Sequence, residues 1–312
     1  MTALATELAR FLPEAHVGTV TRIEPLTMGN SGAGVYAISG TRGERVLRVQ
    51  PERLDATLWT QQLAVLRRAA AAGIAPAILH VDDAGRAVLS ERVAGVPLPV
   101  ALADPAQRGP AIQSTVLQLR ALHALDPAGV VDRDPVPFVR AQYSTQRGRA
   151  GFPAWAAGLD AQVDAFEALL ARDPRRVVSH NDVNPGNVLW DGQKAWLVDW
   201  EVVGLTHPFY DLAALATFLQ LDDAAVAGLL SLQEQRAASA EDLATFAALR
   251  RLVGLLCGLT FLSLAPDLSG APAEPPTLTQ VYDDLRSGKI SLRDAPAHVA
   301  FGLALLRTGV PR

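Results

Sequence analysis

Between Val177 and Trp200 the chain reads VVSHNDVNPGNVLWDGQKAWLVDW, and three of its polar residues, Asp182, Asn187 and Asp199, have the types and spacing for chemistry. Any one of them alone would be an ordinary turn or cap residue, since Asp and Asn are frequent in turns. Together they match the parts of a phosphoryl-transfer site. A loop carboxylate orients a hydroxyl nucleophile, while an Asn five residues later and a second Asp hold magnesium against nucleotide phosphates.

The elements that must position these groups are legible around them. Val177-Val178 leads into a polar loop over 180–187. Val188-Leu189-Trp190 and 195–198 read as two strands joined at Asp191-Gly192, a hairpin signal. One loop and one hairpin are therefore expected to aim Asp182, Asn187 and Asp199 into a single cleft.

Upstream, 23–27, 35–38 and 44–50 are candidate strands, followed by a helical pattern over 54–72 and a second strand pair over 77–81 and 86–90. A linker over 91–99, carrying Gly95 and two prolines, precedes a mostly helical remainder at about 110–125, 159–172, 211–220, 223–237, 241–264 and 296–308. The pattern predicts an α+β chain with a small β-rich lobe, residues 1–92, and a larger helical lobe, residues 93–312. The catalytic hairpin is expected inside the second.

Composition narrows the function classes. With 312 residues, 49% hydrophobic and 19% charged, the chain can bury a substantial core. A formal charge of −4 without a basic run argues against a nucleic-acid binder. A single cysteine, Cys257, excludes an intrachain disulfide and makes a cysteine zinc site implausible. No signal pattern opens the chain and no run approaches the length of a membrane span, so a cytoplasmic protein without a membrane partner is expected. Oligomeric state is not readable.

The segment Thr27-Met28-Gly29-Asn30-Ser31-Gly32-Ala33-Gly34 lies between two candidate strands. Its glycines let backbone N–H groups approach phosphate oxygens, although such hairpin loops are often purely structural. A phosphate-binding cation is expected on the third strand, paired with a helix Glu. Lysine occurs only at Lys194 and Lys289, so the strand's basic residue is Arg48, which can bind phosphate through two N–H groups. The helix after it carries no acid beyond Asp55. Gln61 or Gln62 falls where the acid belongs, with Glu52 or Asp55 as substitutes.

These residues resemble the aminoglycoside phosphotransferase and choline kinase superfamily, most of all its bacterial choline- and thiamine-kinase-like members. The resemblance rests on the Gly-rich loop, Val46-Leu47-Arg48-Val49, Gly73-Ile74-Ala75-Pro76 and Leu122-His123. Above all it rests on His180-Asn181-Asp182 through Asn187 and Val198-Asp199-Trp200-Glu201, with Gly204, Pro208 and Asp211-Leu212-Ala213 after them. It covers about residues 20 to 220 and implies a two-lobed protein-kinase-like fold binding ATP and Mg2+.

By that resemblance Asp182 is the catalytic base, and Asn187 and Asp199 are the metal ligands. Gly29, Asn30, Ser31, Gly32, Gly34 and Arg48 hold the nucleotide phosphates, and the hinge Glu91, Arg92 and Val93 offers backbone groups to adenine. Glu201 supports a second metal or meets a cationic substrate, His180 fixes its loop, and Asp211 caps a helix and braces the catalytic loop. Trp200, Glu201, Trp155 and Tyr143, with Phe152 and Tyr210, are candidates for an aromatic, acidic acceptor pocket, although aromatics at such positions equally pack in cores.

The expected reaction is transfer of the ATP γ-phosphoryl group to a hydroxyl of a small molecule such as choline, ethanolamine or thiamine. An aminoglycoside or sugar kinase is an alternative acceptor reading. A nucleotide-binding pseudokinase or regulatory module is the other class, motivated by Arg48 and the missing helix Glu. Protein phosphorylation is disfavoured, because the chain reaches Pro208 and a helix soon after Asp199 and leaves little room for an activation loop.

Overall fold

The computed structural model describes residues 3–26 and 32–310. In chain order its first elements are α1 (Ala3–Leu8), α2 (Glu14–Val17), β1 (Val20–Pro25), β2 (Gly34–Gly40), β3 (Gly43–Val49) and α3 (Ala56–Ala71). Then come β4 (Ile78–Asp82), β5 (Ala87–Glu91), β6 (Val96–Pro97), α4 (Leu98–Ala103), α5 (Pro105–His123), α6 (Pro135–Gln146), α7 (Leu159–Leu170) and β7 (Val177–Ser179). The hairpin β8 (Val188–Trp190) and β9 (Ala195–Leu197) precedes β10 (Gly204–Thr206). The chain closes with α8 (Tyr210–Phe218), α9 (Asp223–Glu234), α10 (Ala240–Leu264), α11 (Leu278–Arg286) and α12 (Ala295–Gly309).

Two compact units emerge, Met1–Val131 with Pro185–Val203, and Asp132–Asn184 with Gly204–Arg312. This differs from the expected break after residue 92, because the β8–β9 hairpin belongs to the first unit. Its reasons are specific hydrogen bonds. β8 pairs with β6, the Leu197 amide donates to the Ile74 carbonyl at 3.0 Å, and the Ala195 amide donates to Ser114 Oγ at 2.9 Å. Trp190 Nε1 also donates to Gln107 Oε1 at 2.8 Å, tying the hairpin to α5.

In the first unit an antiparallel sheet runs β1-β2-β3-β5-β4. Strand alternation divides its two faces. Ile38, Leu47, Ala87 and Leu89 pack with Leu8, Phe11 and Leu12 of the N-terminal helical segment. Val88 packs with Trp59 and Leu63 of α3 on the other face. Arg48 is registered opposite Val88 and therefore faces α3. The Asp55 side chain starts α3 by accepting from the Thr57 and Leu58 amides at 2.8 and 3.1 Å, an N-cap typically worth about 1 kcal/mol.

The second unit is helical around a short β7–β10 pair. Its centre is α10, packed against α12, α6 and α8. By length and composition α10 is apolar enough to cross a membrane, contrary to the expectation that no run would be. Its packing and its buried Leu252, Leu255, Leu259 and Leu262 make it a core helix. Close approach to α12 depends on Gly258, where a Cβ would stand 2.5 Å from the Leu306 amide nitrogen. Arg149 terminates α10 by donating to the Leu262 and Ala265 carbonyls at 2.7 and 2.6 Å.

Candidate active site

In the second unit, β7 delivers His180, Asn181 and Asp182 at its end. The loop turns sharply at Asn181, which adopts a left-handed φ of 66°, a conformation Asn tolerates better than most side chains. Three hydrogen bonds from two side chains hold that turn. Thr206 Oγ1 donates to Asn181 Oδ1 at 2.8 Å, and the Asp211 carboxylate accepts the His180 amide at 2.9 Å and the Asn181 amide at 2.8 Å. Asp211 is fully buried, so these charge-assisted bonds act where water does not compete. The expected brace is present, whereas the expected cap is not, since no side-chain cap bond opens α8.

Asp182 follows, with Asn184 Nδ2 donating to its Oδ1 at 3.0 Å. Its charge reaches two neighbours, buried Tyr210 and half-buried Cys257. Burial pushes the Tyr210 hydroxyl well above its ordinary pKa, with Cys257, Asp211 and Asp182 adding to the rise. Burial likewise pushes the Cys257 thiol up to about 12, and Asp182 adds to it. A half-buried carboxylate oriented by an amide is suited to accept a proton from a hydroxyl.

In the first unit, Val188 pairs with Leu197, and the Val198 amide donates to the Asn187 carbonyl at 3.0 Å. Asn187 and Asp199 thus flank the open end of one hairpin. Asp199 has a left-handed φ of 70°. Arg48 Nη2 lies 3.0 Å from Asp199 Oδ1 and also pairs with Glu201 Oε1. Gln62 Nε2 donates to the Glu201 backbone carbonyl. The acid partner of Arg48 therefore comes from beyond β9, not from α3. Asp55 is committed to its cap, and Gln62 holds the main chain of Glu201.

A carboxylate and an amide carbonyl at one hairpin end are hard oxygen donors of the kind Mg2+ takes, so Asn187 and Asp199 fit that ion. Among the described residues no group of three or more His, Cys, Asp or Glu forms a metal cluster. The Arg48 Nε–H is buried without a hydrogen-bond partner among the described residues, a donor suited to an anion.

The remaining candidates divide. Gly29, Asn30 and Ser31 lie outside the described residues. Gly32 has a φ of 79°, and a Cβ there would stand 2.9 Å from Arg53 Nη2. Gly34 opens β2. At the hinge, the Glu91 amide is taken by the Ala77 carbonyl at 2.9 Å, and the Arg92 amide lies 3.4 Å from the Glu44 carbonyl. Arg92 Nη1 meets Glu44 Oε2 at 2.9 Å, and Val93 is half-buried.

Three of the aromatic acceptor candidates are buried. Tyr143 is 3% exposed, accepts the Gly158 amide on its hydroxyl at 3.1 Å and packs beside Phe152. Trp200 is 7% exposed and donates to the Leu197 carbonyl at 3.2 Å. Tyr210 is buried as well. Trp155 is half-buried beneath the Arg307 guanidinium, 5.4 Å from its ring centre. Sequence reasoning missed Asn184 and Thr206. Asn184 sits within the recognised loop, but Thr206 meets Asn181 only through the β7–β10 register, for which the chain carries no local signal.

Residues 22–251 match the profile of the phosphotransferase enzyme family. No curated protein matches the chain's sequence significantly. Among solved structures, a choline/ethanolamine kinase family protein from Mesorhizobium loti superposes with a TM-score of 0.70 at 19% identity, covering 97% of this chain and 99% of that one. The choline kinase LicA from Streptococcus pneumoniae gives 0.61 at 15% identity, covering 98% of each chain. An aminoglycoside phosphotransferase from Streptomyces rimosus, solved with ADP and streptomycin, gives 0.56 at 19% identity, covering 81% of this chain and 99% of that one. These likenesses concern the fold.

Proposed function

Because the chain belongs to the phosphotransferase enzyme family, we propose that it moves the γ-phosphoryl group of ATP to a hydroxyl of a small amino alcohol such as choline, ethanolamine or thiamine. The observation that carries this reading is the held loop carboxylate, Asp182, whose turn is braced by Asp211 and whose Oδ1 is fixed by Asn184. A binding module has no use for such a base, so this feature favours an enzyme over a pseudokinase.

In the proposed step the acceptor oxygen forms a bond to the γ-phosphorus as the bond to the β–γ bridging oxygen breaks. The electron pair leaves with ADP, and the acceptor proton passes to Asp182. Arg48 supplies positive charge to the phosphates through a buried N–H donor that has no partner among the described residues. The Gly-rich segment and the hinge Glu91 to Val93 hold phosphates and adenine in the same reading, which makes residues 1–92 the nucleotide-binding lobe. Mg2+ held by Asn187 and Asp199 would neutralise developing phosphate charge. The fold likeness to choline and ethanolamine kinases supports an amino alcohol over a neutral sugar.

The test is magnesium-dependent ADP release with choline, ethanolamine, thiamine, amino sugars and simple sugars as acceptors, beside Asp182→Ala. Release that depends on an amino alcohol and vanishes in the variant is the expected result. Release with amino sugars alone would move the acceptor class. Tight ATP binding without turnover on any acceptor would favour the regulatory module.

A further inference from the structure

His207 lies in the chain between Thr206 and Asp211, the two residues whose side chains hold the catalytic loop. It is 3% exposed, edge-on to Phe209 at 5.1 Å between ring centres. Its two ring nitrogens have different partners. The Phe209 amide donates to Nδ1 at 3.1 Å, and Nε2 meets Asp173 Oδ2 at 2.9 Å. A backbone N–H can only donate, so Nδ1 must be bare and Nε2 must carry the proton. The geometry thus selects one neutral tautomer.

Phe209 is the N-cap residue of α8, and two further bonds make it a fixed turn. The Tyr210 amide donates to the His207 carbonyl, and the Ala213 amide donates to the Phe209 carbonyl, both at 2.9 Å. Asp211 stands in the first turn of the helix so positioned and grips the His180 and Asn181 amides. We propose that His207 is a positioning residue for the catalytic loop: its neutral Nε2–H form anchors the start of α8, and a second proton releases that anchor. The functional part of the proposal rests on the reading of Asp182 as the base.

The charged groups facing His207 are accounted for. Asp173, Arg175 and Arg176 come from the segment between α7 and β7, and Glu234 at the end of α9 reaches the cluster through Arg175 at 3.3 Å. Arg175 Nη2 pairs with Asp173 at 2.6 Å and its guanidinium lies 5.2 Å from the Phe209 ring centre. Burial foremost, with the two arginines, disfavours the imidazolium, while Asp173 favours it. The resulting pKa lies below the ordinary imidazole value. On protonation Nδ1 becomes a donor facing a donor, and the Phe209 amide loses its acceptor in a buried site.

The experiment compares the full-length wild type with His207→Asn and His207→Gln. Asn can place its amide oxygen where Nδ1 stands, whereas Gln reaches the Nε2 position and leaves the Phe209 amide unpaired. Hydrogen exchange of residues 177–184, corrected for intrinsic pH dependence, is followed from about pH 8 to about pH 5, beside kcat and KM for ATP on the acceptor found above.

In the wild type, exchange of this segment should rise and kcat fall as pH drops through the folded pKa of His207, which lies below the ordinary imidazole value, with KM for ATP unchanged. His207→Asn should keep kcat within about threefold and lose that acid limb. His207→Gln should lower kcat about tenfold and loosen the segment at every pH. Equal impairment of both variants, wild-type protection in His207→Gln, or a wild-type segment indifferent to pH would each overturn the proposal. Should no acceptor support turnover, the kinase reading fails while the exchange measurements still decide the role of His207.

Discussion

Arg48 Nη2 and Asp199 Oδ1 lie 3.0 Å apart, so the cation of the third strand and the carboxylate of the hairpin share one small volume, with Glu201 as a second acid partner. Replacing Glu201 by Gln removes one of two acids that balance Arg48. The expected outcome is a KM for ATP raised about tenfold, from one charged hydrogen-bond partner of about 1.5 kcal/mol, with a smaller change in kcat. Initial-rate kinetics over an ATP series check the split.

Asp182→Asn keeps the shape of the catalytic side chain and removes its basicity. Turnover should fall by about 10²–10⁴-fold, the usual worth of a positioned base, while ATP affinity stays within about twofold. Steady-state rates and nucleotide titration calorimetry on the same preparation measure both quantities.

Asp199→Ala should lose the part of nucleotide binding that depends on magnesium. ATP titrated with and without Mg2+ would give two different affinities in the wild type and one shared value in the variant. Two values in the variant would remove Asp199 from the metal site.

Gly258→Val forces a branched side chain into the contact between α10 and α12, where even a Cβ meets the Leu306 amide nitrogen at 2.5 Å. Overpacking of this kind costs about 1–3 kcal/mol or more, read as a lower urea midpoint. Val substituted at the open Gly228 of α9 is the control, since nothing stands within 4 Å of a Cβ there.

Stability should depend on acid through His207 and Asp173 in two separate windows. The depressed imidazole contributes stability that is full above its unfolded value of about 6.5 and is lost as pH falls from there towards its lower folded value. Asp173, held well below the usual carboxylate range by Arg175 first and by His207, contributes stability that is full above about 3.9 and is lost below it. Urea midpoints across pH should show the first loss in the wild type and not in His207→Asn.

The parts of the fold legible in the sequence are those with local signals. The hairpin at Asp191-Gly192 has its predicted strands, and the Asp191 carboxylate closes the turn by accepting the Gln193 and Lys194 amides at 2.8 and 2.7 Å. Helix α3 begins one residue after its Asp55 cap. α11 carries a capping box of Thr277 and Gln280, but its nine residues are too few for a clear apolar stripe. α1 and α2 are too short to show a periodic stripe, and α6 opens on two prolines that read as a loop. Within the site, Asp182, Asn187 and Asp199 stood out by spacing. The partners Glu201 for Arg48 and Thr206 for Asn181 did not, because each pairing joins segments that only register and packing bring together.

The chain's passage out of the first unit at Val131 and back at Pro185 bears on its biosynthesis. A ribosome delivers residues in order, so the five-stranded sheet and α5 emerge well before the hairpin that Ser114, Gln107 and Ile74 receive. Until residue 203 is free of the exit tunnel, that docking flank has no occupant. A nascent chain stalled between residues 131 and 185 would present apolar surface to chaperones and to its own copies. Recombinant fragments that stop in this interval should aggregate, whereas a fragment of residues 1–131 joined by a flexible linker to 185–203 restores the missing hairpin and should remain dispersed.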